Sequence, residues 1–255
     1  PVGSEHICGI PLTGLNTIVA KQLISVNTEL DAIIKYKKLK KDDAIFNVLR
    51  EYVKTTKNIL FDGDGYSSSW EKEAKRRGLS NLRKTPEALS VRMNKDVIDL
   101  FDSMDVMNPV EQKARYEIQL EQYVQRIEIE SLVLENLVNN QILPTAFKYQ
   151  SVLIENVKGL KDIYGDGFSK HAPVAMSSIE KISGLIDKLA TACGTLVKER
   201  TKANSMSKLD DQAQMYAKNV LPVFDKIREC VDGLELIVDD SAWPLVKYRE
   251  LLFLR

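Results

Sequence analysis

Oxygen donors spaced as if for a cation are the first residues in this chain whose types and spacing could do chemistry. Asp62-Gly63-Asp64-Gly65-Tyr66-Ser67, with Glu73 following, fills the first, third and twelfth positions of a calcium-type loop. The fifth position is Tyr66, and the sixth, where such a loop needs Gly, is Ser67. A turn between two helices explains the same residues, with Asp oxygens accepting local backbone bonds. His6 and Cys8 offer a base beside a thiol, but a nucleophile–base pair needs an orienting third group, and none is nearby. His171 stands alone between a Gly turn and a helix, the place of a surface or capping residue. The cluster Lys75-Arg76-Arg77, with Arg83-Lys84 after it, has the charge to hold phosphate. Glu71 and Glu73 on the same short helix offset that charge, so a solvated face is expected. Neither G-x-x-x-x-G-K-[ST] nor G-x-G-x-x-G, HExxH or CxxC occurs. No catalytic, cofactor-binding or metal-ligating residue is therefore assigned.

The elements that must position these residues read as helices almost throughout, with no strand alternation. The expected fold is all-α: long antiparallel helices in a bundle, shorter capping helices, and a short irregular N-terminal stretch over 1–13 punctuated by Gly3, Gly9 and Pro11. A first helix is predicted over 15–38, with Ile18, Val19, Leu23, Val26, Leu30 and Ile33 or Ile34 in one apolar stripe. The basic run from Lys35 to Lys41 suits its C-terminal dipole end. A second helix opens at Asp42 or Asp43, carries Ile45, Val48, Leu49, Tyr52, Ile59 and Leu60, and stops at the Gly-Asp turn. Ser68 is expected to cap a third helix, with Glu71 completing a capping box and Gly78 ending it. Trp70 is expected to bury its ring against the second helix. Thr85-Pro86-Glu87 and Asn94 begin two further short helices.

Asn108-Pro109-Val110-Glu111 combines an N-cap, a first-turn Pro and a box-closing Glu. Helical pattern then continues to about Ile163, roughly 55 residues or about 80 Å at 1.5 Å per residue. Tyr116, Leu120, Tyr123, Ile127, Leu134 and Leu137 sit near heptad spacing and call for a long antiparallel partner. Pro144 is expected to kink or break this helix near Asn139-Asn140-Gln141. After Tyr164-Gly165-Asp166-Gly167, a helix over 172–200 presents Ile179, Ile182, Leu185, Ile186, Leu189, Cys193 and Leu196 on one face. The next runs from Asp211 to Val231, strained or broken at Pro222. Asp240-Ser241 is read as the cap of a final helix whose leucines dock, with Trp243 as its anchor. Three segments result: 1–13 as the end of an upstream region or linker, 14–105 as helices around the Gly-Asp turn, and 106–255 as a long bundle, the last two forming one helical domain.

Composition narrows the class. Of 255 residues, 44% are hydrophobic and 28% charged, ordinary for a water-soluble globular protein. Lys plus Arg equals Asp plus Glu at 36 each, so no net field draws the chain to nucleic acid or anionic lipid. Cys8, Cys193 and Cys230 are odd in number and far apart, which speaks against a disulfide framework and for a reducing, cytoplasmic setting. No apolar run approaches a membrane span, and PVGSEHICGIP lacks the basic start and apolar core of a signal peptide.

Several stretches resemble the C-terminal part of the type III glutamine synthetases, large ATP-dependent glutamate–ammonia ligases. Asn16-Thr17-Ile18-Val19-Ala20 is similar to the helix start that follows the family's catalytic barrel. Phe61 to Leu82, FDGDGYSSSWEKEAKRRGLSNL, is similar to its post-catalytic signature, which singles out Asp62, Gly63, Asp64, Gly65, Tyr66 and Trp70 as structural residues. Arg115-Tyr116-Glu117, Glu121-Gln122-Tyr123, Ile142-Leu143-Pro144-Thr145-Ala146 and Tyr149-Gln150 are similar to its long C-terminal helices, with Pro144 the marked position. The resemblance implies that this chain, which starts at Pro1 rather than Met, is the C-terminal piece of a longer enzyme. It implies a noncatalytic domain inactive alone, serving structural or oligomerisation support. ATP and Mg or Mn would belong to the parent, the parent's catalytic barrel would be a partner, and the assembly would be a homo-oligomer of stacked rings. The residues alone also admit a freestanding helical adaptor or scaffold, and a small helical enzyme using His6, Cys8 and His171.

Overall fold

A computed structural model describes residues 8–252, and among them every regular element is helical. The described residues fall into two compact units, one running to Ile118 and the other starting at Gln119.

In the first unit, α1 (Gly9–Lys37) and α2 (Lys41–Thr55) form an antiparallel hairpin. Lys38, in the left-handed region at φ 53°, ends α1. Tyr52 Oη donates to Glu29 Oε1 at 2.8 Å across the pair. The predicted irregular stretch is shorter than expected: α1 begins at Gly9 because Pro11 lies in the first turn, where its missing N–H is not needed. Residues 1–7 lie outside the described part. The α2 stripe also ends early. The helix stops at Thr55, a 3₁₀ turn covers Lys57–Ile59, and Leu60 is extended and exposed.

Ser67, not Ser68, caps α3 (Ser68–Arg76), its Oγ accepting from Trp70 N. The helix closes with Gly78 N donating to Lys75 O and Leu79 N to Ala74 O, which requires the positive φ of 78° that Gly78 adopts. Two short helices follow, α4 (Thr85–Ser90) and α5 (Lys95–Ser103). The expected capping box opens α6 (Pro109–Leu137): Glu111 N donates to Asn108 Oδ1 at 3.0 Å and Asn108 N to Glu111 Oε2 at 2.8 Å. Buried Gln112 donates to the carbonyls of Ile98 and Met107 and ties the α5–α6 corner.

The second unit holds the rest of α6, α7 (Leu143–Tyr164), α8 (Pro173–Asn204), α9 (Leu209–Met215), α10 (Leu221–Glu235) and α11 (Tyr248–Leu252). Helix α8 packs against both α7 and α10. Ile182, Leu189, Leu196, Val220, Ile227 and Leu234 are fully buried in this core. Gly233 lets α10 approach α8, since a Cβ there would meet the Leu185 methyls at 3.2 Å.

Neither proline breaks its helix. The turn Val138–Ile142 before Pro144 is π-helical, and so is Tyr216–Val220 before Pro222. Leu143 N donates to Val138 O and Leu221 N to Tyr216 O, five residues back rather than four. The wider turn relieves the clash between the proline ring and the carbonyl one turn earlier, so the helix passes through with a bulge. The kink or break expected near 139–141, and the strain or break expected at Pro222, take the form of these two π turns with helix on either side.

The C-terminal expectation is corrected. Asp239 accepts from Ser241 N at 2.7 Å and from its hydroxyl, which makes a turn rather than a helix cap. Helix α11 starts only at Tyr248, and its Leu251 and Leu252 are exposed in this chain. Trp243 is buried. No described helix is long and apolar enough to cross a membrane.

Candidate functional site

The Gly-Asp turn is the most organised feature outside the helical cores. Asp64 Oδ1 accepts from Tyr66 N at 2.9 Å, and Asp64 O accepts from Ser67 Oγ at 2.8 Å. These bonds fix the path into α3 and leave the Tyr66 ring in solvent. The Phe61 and Trp70 rings stack, with centroids 4.0 Å apart. Trp70 is thus half-buried against Phe61, which the sequence pattern puts at the end of the second helix and the structure puts in the loop after α2. Gly63 leaves room for the ring, since a Cβ there would lie 2.7 Å from Phe61 Cζ and the ring would have to shift.

Arg77 locks this stack to the end of the α2 region. Its guanidinium lies 5.7 Å from the Trp70 ring centre and 5.9 Å from that of Phe61. Its Nη1 donates to Leu60 O at 2.6 Å, and its Nε to Glu73 Oε1 at 2.6 Å. Arg76 takes both oxygens of the same carboxylate, at 2.6 and 2.7 Å. The Arg76 bonds first, and those of Arg77 second, hold the Glu73 carboxyl down to about 2. Glu73, the twelfth position of the calcium-type spacing, is thereby committed to two arginines. Glu71 pairs with Arg83. Of the basic cluster expected to form a solvated face, Arg76, Arg77 and Arg83 are thus paired with these two acids. The arrangement is a clamp between Leu60 and α3 rather than a set of groups converging on a reacting atom.

A second polar assembly sits inside the other unit. Arg200 is buried and donates to Glu135 Oε2 at 2.5 Å and to Ser131 Oγ at 3.3 Å. One turn further along α8, Asn204 donates to Glu128 Oε1 and accepts from Tyr216 Oη, each at 2.6 Å. Burial first, then the charge of Glu128, pushes the Tyr216 hydroxyl up to about 12. This layer ties α6, α8 and the π turn before α10 in register. Sequence reasoning missed it, although the Glu128–Ser131–Glu135 spacing on one helix face was a readable signal.

The remaining candidates do not assemble. His6 lies outside the described residues, and Cys8 is exposed at the start of α1. His171 stacks on Tyr164 at 4.0 Å. Cys193 and Cys230 are buried free thiols whose pKa burial raises. Among the described residues no three His, Cys, Asp or Glu side chains form a group able to hold a metal ion.

Comparison with known proteins places this architecture. Residues 44–161, which include both the clamp and the Pro144 turn, match the family described as the glutamine synthetase C-terminal domain. Glutamine synthetase of Bacteroides fragilis (strain YCH46) is 35% identical over 98% of this chain and 34% of its own length. Type-3 glutamine synthetase of Dictyostelium discoideum is 34% identical over 100% of this chain and 34% of its own. Glutamine synthetase of Butyrivibrio fibrisolvens is 29% identical over 91% of this chain and 32% of its own. The chain spans about a third of the length of the curated relatives it matches. The all-α chain with its Gly-Asp clamp carries a glutamine synthetase C-terminal domain.

Proposed function

We propose that this chain serves as the helical C-terminal domain of a type III glutamine synthetase, an enzyme that joins ammonia to glutamate at the expense of ATP. The observation that carries the reading is the near-complete alignment of the chain to about one third of two glutamine synthetases, one of them a type-3 glutamine synthetase. In this reading the domain is noncatalytic. ATP and Mg or Mn are held by the rest of the ligase, and no step of the reaction is routed through residues of this chain. The domain braces the catalytic barrel and mediates contact between subunits of a cytoplasmic homo-oligomer of stacked rings. Asp62, Gly63, Asp64, Gly65, Tyr66 and Trp70 then act as a structural signature that fixes α3, and Pro144 marks the bulge in the long helix. Exposed Tyr66 and the apolar side chains left in water on α1 and α2 suit contact with other parts of such an assembly.

The experiment is a paired assay of ATP-dependent glutamine formation. The full-length protein is expected to form glutamine, and residues 1–255 alone are expected to form none. Activity of the 255-residue chain alone, or an inactive full-length protein, would overturn the reading.

A further inference from the structure

Helix α1 carries one apolar stripe of which only half is covered. Leu12, Leu15, Val19, Leu23, Val26, Leu30 and Ile33 recur at intervals of three and four, which places them on one side of the helix. Val26, Leu30 and Ile33, the half beside α2, are half-buried. Leu12, Leu15, Val19 and Leu23 are 52, 50, 56 and 63% exposed.

The reason is length. Helix α1 has 29 residues, about 43 Å, and α2 has 15, about 22 Å. The two run antiparallel, and Tyr52 near the end of α2 already faces Glu29. Helix α2 therefore stops about where the bare half begins. Helix α5 does not cover it either, because it meets a different side of α1. There Lys21 Nζ donates to Ser103 Oγ at 3.4 Å, and Thr17 is buried.

Charge supports the same division. From Gly9 to Thr28 the sole charged residue is Lys21, which reaches toward α5. From Glu29 to Asp43 the helix end and turn carry Glu29, Asp31, five lysines, Asp42 and Asp43. A helix segment facing water on its outer side would carry charge there, and depletion of charge is the mark of an interface centre.

We propose that the bare half of the stripe, Leu12 to Leu23, seats an apolar segment of the same polypeptide from the part of the ligase that precedes α1. The inference rests on the ligase reading above. About two thirds of the length of each relative lies outside the matched region, and the matched family is a C-terminal domain, so that polypeptide lies on the N-terminal side. The uncovered half of α1 is its N-terminal half, the one closest in sequence to that polypeptide. A tethered partner acts at an effective concentration of order millimolar, which favours it over a second copy. The seat is about 17 Å long, enough for about three turns of helix.

The test is a photo-crosslinker, p-benzoylphenylalanine, placed at Val19 of the full-length ligase and, in a second variant, at Leu23. The crosslinked peptides are identified by mass spectrometry, and the product size is read on a denaturing gel. A product of monomer size joining position 19 or 23 to a peptide outside residues 1–255 is expected in at least one variant that keeps glutamine-forming activity. A dimer-size product, crosslinks confined to residues 1–255, or no crosslink in any active variant would overturn the proposal. A wild-type full-length protein that forms no glutamine would instead overturn the ligase reading, so the two failures are distinguishable.

Discussion

The two units treat apolar side chains differently. In the first, Leu15, Val19, Leu23, Phe46, Leu49 and Val53 stand in water along α1 and α2, and the only buried α1 side chain is that of Thr17. In the second, Ile182, Leu189, Leu196, Ile227 and Leu234 are buried, and a polar layer around Arg200 lies among them. The difference teaches that amphipathic pattern alone does not say what covers a stripe. Along the facing stripes of α8 and α10, helices of this chain supply the cover. Along α1, we infer, the rest of the ligase supplies it.

The strongest way to break the comparison is Arg200→Ala. It leaves Glu135 partly buried without its cation and is expected to cost about 3–4 kcal/mol of second-unit stability. Urea unfolding of the 255-residue chain would show it, and a loss below about 1 kcal/mol would mean that the layer is ornamental. Leu196→Ala should cost about 3 kcal/mol in the same assay. Leu23→Ala should cost less than about 0.5 kcal/mol in the 255-residue chain, because its side chain is already in water. In the full-length ligase Leu23→Ala should cost several times more. Equal costs for Leu196 and Leu23 in the short chain would erase the contrast between the units.

Smaller effects sharpen the picture within the first unit. Gly63→Ala must push the Phe61 ring away from its place beside Trp70, at a cost of about 1 kcal/mol. Trp70 emission in a Trp243→Phe background reports it, and an unchanged spectrum would contradict the clamp. The same signal should follow pH. Glu73 has its carboxyl lowered from 4.5 to about 2 by Arg76 first and Arg77 second. A depressed carboxyl stabilises the fold above its unfolded pKa and ceases to do so as the proton binds. The clamp should therefore hold above about pH 4.5 and loosen between there and about pH 2, and Glu73→Gln should abolish that dependence.

Much of this was legible in the sequence. The Asn108–Glu111 box, the Gly78 stop and the α8 face follow from local chemistry that no distant residue overrides. Pro144 and Pro222 named the right sites of distortion but not its form, since a π turn depends on a widened hydrogen bond that spacing does not reveal. Trp70 meets Phe61 in a loop rather than on a helix because α2 stops at Thr55, short of the end its apolar spacing suggested. Arg77 read as one more surface cation, because the Phe61 ring and the two backbone carbonyls it meets come from residues ahead of α3, and only the Trp70 ring from within it. The α1 stripe was legible as a stripe, while its half coverage depends on where α2 ends.

Hydrogen exchange along α1 in the full-length ligase tests the central claim most directly. The account predicts that amides from about Leu12 to Leu23 exchange as slowly as those from Val26 to Ile33, because both halves of the stripe are covered there. Fast exchange in the first half beside slow exchange in the second would contradict it, leaving the apolar face of α1 bare in the ligase as well.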